Sequence, residues 1–165
     1  MTGTGRVVVM GVSGSGKSAV GSALAARLGW RFVDGDDLHP PASIAKMSAG
    51  IPLTDQDRAP WLAAVGRQLA AGPRTIAACS ALKRAYRAAI AEAAPGVFFA
   101  HLVVSEATLA ARMRTRAGHF MPASLLDSQL AALEPLDPSE PGIAVDADRD
   151  LDSVVRELAG RLHWP

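Results

Sequence analysis

The chain has 165 residues, 49% of them hydrophobic and 20% charged, with a formal net charge of +1 and one cysteine, Cys79. That length and balance describe a single folded domain with a substantial core. They exclude a disordered chain, a disulfide scaffold and a protein held to nucleic acid by bulk positive charge. No apolar run reaches transmembrane length, and the start of the chain passes directly into a strand without a secretory apolar stretch. The expectation is a cytoplasmic protein with no membrane partner.

The first predicted strand, Arg6 to Met10, leads into Gly11-Val-Ser-Gly-Ser-Gly-Lys17-Ser18, which fits the phosphate-loop pattern G-x-x-x-x-G-K-[ST]. Gly11, Gly14 and Gly16 let the backbone turn tightly and aim its N–H groups at phosphate oxygens, and the helix predicted from Ser18 to Leu28 adds the positive end of its dipole. The nucleotide-binding set is therefore Gly11, Ser13, Gly14, Ser15, Gly16, Lys17, Ser18 and Ala19. Lys17 supplies a point charge for the β- and γ-phosphates, and the Ser18 hydroxyl is a ligand for Mg²⁺.

The second strand, Arg31 to Asp34, ends in Asp34-Gly35-Asp36-Asp37, at the carboxyl edge where open α/β sheets bind ligands. Phosphoryl transfer to an alcohol needs one carboxylate to orient the hydroxyl and take its proton, and another near the metal. In an extended segment Asp34 and Asp36 face the same way. Asp36 is assigned to the substrate hydroxyl, Asp34 to the metal and Asp37 to capping or solvent.

Helices follow at Pro41 to Met47 and Ala59 to Ala71, then a strand at Thr75 to Cys79 and a helix at Ala81 to Ala94. The third strand lacks the acidic metal-holding residue common in nucleotide hydrolases, which shifts metal binding onto Ser18, the phosphates and Asp34. Cys79 reads as a small buried hydrophobe. A strand at Val97 to Val104 precedes a helix from Glu106 to Arg116 that carries Arg112, Arg114 and Arg116, followed by Gly118-His119-Phe120. Arg112 and Arg116 lie four apart on one helical face, suited to clamp phosphate or stack on adenine, and Gly118 permits a mobile lid over approximately 112–124. A helix at Ala123 to Leu133, a strand at Ile143 to Asp146 and a helix at Leu151 to Leu162 complete an α/β chain with a parallel sheet covered on both faces.

Three lysines, Lys17, Lys46 and Lys83, stand among 14 arginines, so each retained lysine is a weak functional flag. No asparagine occurs, which removes the base-reading motif of a GTPase switch. Shikimate-type and nucleotide-acceptor kinases share the phosphate loop, the paired aspartates and the lid arginines, and stay open on those features alone.

Longer motifs narrow the choice: Gly35-Asp-Asp-Leu-His-Pro40, Lys46-Met-x-x-Gly-x-Pro-Leu-x-Asp-x-Asp-Arg-x-Pro-Trp61, Cys79-Ser-Ala-Leu-Lys83 with Tyr86-Arg87, and His119-Phe-Met-Pro122. With the phosphate loop, they make the chain closely resemble the P-loop gluconate kinases from first strand to last helix. The resemblance implies a nucleoside-monophosphate-kinase-like fold, ATP and Mg²⁺ dependence, D-gluconate as the acceptor giving 6-phospho-D-gluconate, and a homodimer. It places Asp36, His39, Lys46, Arg58 and Lys83 along the acceptor site, Arg112 and Arg116 in the lid, with Lys17, Asp36 and Arg116 catalytic, and His119 at the lid's edge. Arg58 is the expected partner of the gluconate carboxylate by analogy with shikimate kinases, while Trp61 and Met47 read as packing residues. Ser43 stands where the family usually has asparagine, and Ala88 where an aspartate is common.

Overall fold

A computed structural model describes residues 5–115 and 123–162, with side chains described for 5–112 and 126–162. Arg116, His119 and most of the expected lid lie outside the described residues. Five strands, β1 (Arg6–Met10), β2 (Arg31–Asp34), β3 (Thr75–Ala78), β4 (Phe98–Val103) and β5 (Gly142–Asp146), form one sheet in the order β2-β3-β1-β4-β5. Every neighbouring pair is parallel, as expected for strands joined through helices. From β1 the chain crosses to the edge strand β2, returns inward to β3 beside β1, and then adds β4 and β5 on the other side, so the sheet order reverses at β1. A crevice opens at such a switch point, and the phosphate loop follows β1 directly into it.

The helices are α1 (Lys17–Leu28), α2 (Pro41–Ser48), α3 (Asp55–Ala70), α4 (Arg84–Ala93), α5 (Glu106–Thr115), α6 (Ala123–Ala132) and α7 (Leu151–Arg161). Side chains of β1 alternate between the two faces, as strand geometry requires. Val7 and Val9 join Leu24 of α1 and Val154 and Leu158 of α7, whereas Val8 and Met10 join Trp61, Val65 and Leu69 of α3 and Ile90 of α4. These four β1 side chains, Val7 to Met10, are fully buried, each contributing about 2 kcal/mol of transfer free energy. A third cluster packs Val12 of the phosphate loop against Leu82, Leu109 of α5 and Leu126 of α6. That cluster seats the loop on the two helices flanking 116–122.

Three local details differ from the sequence reading. The third helix starts at Asp55, not Ala59, because Thr54 and Asp57 form a reciprocal capping box that outweighs the hydrogen bond lost at Pro60 inside the helix. The fourth starts at Arg84, not Ala81. Ala81 has φ 44°, outside helical space, and the carbonyls of Ala81 and Leu82 accept from the Arg87 guanidinium at 2.9 and 3.1 Å. The segment after β2 is not extended: Gly35–Leu38 is a 3₁₀ turn, with Asp34 as its cap, accepting from the Asp36 N–H at 3.0 Å. Asp34 and Asp36 therefore do not share a face by strand alternation, and of the two roles expected of Asp37, capping belongs to Asp34 while Asp37 is exposed to solvent.

Candidate active site

The phosphate loop is bent by its glycines and braced by its neighbours. A Cβ at Gly11 would come within 2.6 Å of Ser15 Oγ, and Gly16, with φ 93°, occupies left-handed space immediately before α1. Both positions need glycine for the loop to close. Lys17 Nζ donates to the Val12 carbonyl at 3.0 Å, holding the ammonium against the loop. Ser15 Oγ is buried without a hydrogen-bond partner among the described residues. A buried hydroxyl in that state costs free energy unless something arrives to pair with it.

Two clefts meet at this loop. The larger by its open envelope, about 740 Å³ including space open to solvent, is lined by Ser13, Gly14, Gly16, Lys17, Ser18, Ala19, Asp36, His39, Met47, Leu53, Arg58, Trp61, Ser80 and Gln129. The smaller by the same measure, about 510 Å³, is lined by Gly14, Ser15, Gly16, Ala19, Val20, Arg112, Ala147, Arg149, Leu151 and Val154. Gly14, Gly16 and Ala19 border both, so the loop sits between two compartments.

On the larger side, Ser18 Oγ donates to Asp34 Oδ2 at 2.9 Å, bringing a hydroxyl and a carboxylate together beside the lysine. These are hard oxygen donors, which suit Mg²⁺, a cation that keeps waters and phosphate oxygens in its remaining positions. Among the described residues no group of three His, Cys, Asp or Glu side chains forms a closed metal cage. Asp36 is exposed at the cleft. His39 stacks on Trp61 with ring centroids 4.2 Å apart, and Trp61 Nε1 donates to the Gly35 carbonyl at 2.7 Å. Burial lowers the His39 pKa, Asp36 raises it and Arg58 lowers it again, and the buried His39 Nδ1 has no hydrogen-bond partner among the described residues. The imidazole is held neutral on the wall of the cleft, while Nδ1 itself is buried.

Arg58 is fixed from two sides, donating through Nη1 to the Leu53 carbonyl at 2.6 Å and to Tyr86 Oη at 3.2 Å, with its guanidinium 5.3 Å from the Tyr86 ring centre. Tyr86 in turn donates to Asp55. Lys83 pairs with Asp55 at 3.2 Å and Lys46 with Asp57 at 2.8 Å. Asp57 is held down to about 2 by the Lys46 hydrogen bond and by the Thr54 N–H, and Asp55 is lowered by Tyr86 and Lys83. Both lysines are thus tied to the first turn of α3 and do not line either cleft.

The structure brings Lys17, Ser18, Asp36, His39 and Arg58 around one space, with Asp34 behind Ser18 and Arg112 across the loop, its Nη1 donating to the Gly14 carbonyl at 2.8 Å. Arg116 and His119 lie outside the described residues. Cys79 is buried, and burial pushes its thiol up to about 12, so it is no nucleophile. Trp61 and Met47 are buried, yet each also presents an edge to the cleft. Sequence reasoning missed Ser80, Gln129 and Arg149 as cleft residues. The Thr54-x-x-Asp57 cap was a readable signal for the α3 carboxylates, but nothing local marks Gln129.

The comparisons with known proteins agree with this geometry. A family model described as an AAA domain matches residues 7–136. The gluconokinase of Gluconobacter oxydans (strain 621H) is 51% identical, over 92% of this chain and 88% of that protein. The thermosensitive gluconokinase of Escherichia coli (strain K12) is 44% identical, over 91% of this chain and 83% of that protein. The crystal structure of a gluconokinase from Sinorhizobium meliloti 1021 superposes with a TM-score of 0.88 at 52% identity, covering 98% of this chain and 95% of that one. With a phosphate loop at the switch point of the sheet and this likeness along nearly its whole length, the chain belongs to the gluconokinase family.

Proposed function

We propose that the protein transfers the γ-phosphoryl group of ATP to D-gluconate, giving 6-phospho-D-gluconate and ADP, with residues 1–165 acting as one kinase domain. The observation that carries this is the pair of clefts joined across the phosphate loop. Such a layout seats nucleoside, phosphates and acceptor in a row, and phosphoryl transfer depends mostly on alignment and charge. The smaller cleft takes the nucleoside between Arg112 and Arg149, whose flat guanidinium groups suit a purine face.

In the larger cleft Asp36 orients the acceptor hydroxyl and takes its proton. Lys17 leaves the Val12 carbonyl for the phosphates and offsets charge on the transferring group. Arg58, already aligned by Leu53 and Tyr86, is the fork that pairs with the gluconate carboxylate, and His39, on the wall of the same cleft, faces the sugar hydroxyls. Arg116 and His119 act from outside the described residues. Ser18 and Asp34 would hold Mg²⁺, directly or through water, and the ion would supply charge that offsets the phosphate oxygens. A homodimer is carried over from the family resemblance, and the lone buried cysteine supports a cytoplasmic setting.

A coupled ADP-release assay across gluconate, other sugar acids, shikimate and nucleoside monophosphates tests the proposal. Gluconate should be the preferred acceptor. Equal or faster turnover of shikimate or a nucleotide would overturn the acceptor assignment while leaving the kinase intact.

A further inference from the structure

The Ser13 backbone N–H does not face an empty phosphate site. It donates to Oε1 of Gln129, a residue of α6 lying 116 positions further along the chain, at 2.7 Å. The next residue is held as well: Arg112 of α5 donates to the Gly14 carbonyl at 2.8 Å. Two side chains from different helices thus grip the N–H before and the C=O after the single peptide unit that joins Ser13 to Gly14. Gly14 has φ 85°, so this peptide stands in a conformation most sequences avoid and could rotate if released. Its orientation decides where the Gly14 N–H points, and the loop works by pointing successive N–H groups at phosphate oxygens.

The grip is anchored. Leu126, three residues before Gln129 and on the same side of α6, packs against Val12, the residue preceding Ser13. Gln129 also borders the larger cleft beside Lys17 and Asp36. A glutamine chosen only to solvate a helix would have no reason to span this distance to a loop amide.

We propose that Gln129 is a positioning residue that, opposite Arg112, fixes the Ser13–Gly14 peptide so that the phosphate loop is already in its binding shape before nucleotide arrives. The inference rests on the nucleotide site described above, and deepens it. Preorganisation raises affinity by removing the ordering cost from the binding step. The benefit falls on the phosphates, because it is their oxygens that the N–H groups of this loop bind.

Titration calorimetry of the unmodified protein and of Gln129→Met, with ADP and with adenosine, tests this. Losing one such hydrogen bond should weaken ADP by about five- to tenfold. Adenosine affinity should be unchanged. Amide hydrogen exchange without nucleotide supplies the second readout: the Ser13 N–H should be protected in the unmodified protein, exposed in Gln129→Met, and protected again in Gln129→Glu, which restores an oxygen acceptor at the same reach. Unchanged ADP affinity in Gln129→Met, equal loss for ADP and adenosine, or no recovery of Ser13 protection in Gln129→Glu would each overturn the proposal. Failure of the unmodified protein to bind ADP would instead remove the nucleotide site itself.

Discussion

Ser18 Oγ and Asp34 Oδ2 are joined by a 2.9 Å hydrogen bond that ties the start of α1 to the end of β2. The same carboxylate caps the following 3₁₀ turn through the Asp36 N–H. One aspartate therefore sets both the Ser18 hydroxyl and the backbone that carries Asp36.

Replacing Lys17 with alanine removes the only cation that the loop itself supplies. The expected result is a fall in kcat of about a hundredfold or more, in line with other preorganised electrostatic contacts to a transferring group. Steady-state kinetics check it, and turnover like that of the unmodified protein would separate Lys17 from the phosphates.

Asp36→Asn keeps the shape of the 3₁₀ turn, because that turn is capped by Asp34, and removes the carboxylate proposed to take the acceptor's proton. Transfer should be lost while ATP affinity stays within about twofold. Nucleotide binding measured by calorimetry distinguishes the outcomes. A mutant that loses ATP affinity instead would move Asp36 to the metal side.

Arg87 is buried and pairs with Glu140 at 2.7 Å while donating to the carbonyls of Ala81 and Leu82. It holds the strained approach to α4 and the segment before β5 together. Removing one partner of a buried pair strands the other, so Arg87→Ala should cost about 3 kcal/mol in urea unfolding. A loss under about 1 kcal/mol would mean that water replaces the guanidinium.

Asp57 ties Lys46 to the α3 cap, and its pKa falls from 3.8 unfolded to about 2 folded. A lowered carboxylate pKa stabilises the fold at pH values above the unfolded value, and that contribution disappears as pH drops through the folded one. Asp57→Asn should therefore lower the melting temperature at pH 7, and the gap to the unmodified protein should narrow between about pH 4 and pH 2. A gap independent of pH would assign the effect to capping geometry alone.

Much of this was legible in the chain itself, for physical reasons. The run Val7-Val8-Val9 and the glycine-lysine loop after it report a buried parallel strand and a phosphate nest through local chemistry, and all five strands fell within two residues of their predicted limits. The segment after Asp34 did not read correctly, since the Asp34 side chain captures a backbone N–H and turns residues expected to run on extended into a 3₁₀ turn. The start of α4 was hidden for a different reason. Ala81 and Leu82 have helical propensity, but Arg87 takes their carbonyls and stabilises a conformation that propensity does not favour. Gln129 and Arg149 reach the site only through tertiary packing, which leaves no local mark.

Mass spectrometry of gluconate recovered after incubation with ATP and Mg²⁺ is the most direct test of the central claim. We predict gluconate carrying one added phosphoryl group, formed in step with ADP and lost in Asp36→Asn. ADP released while the gluconate stays unmodified would contradict it.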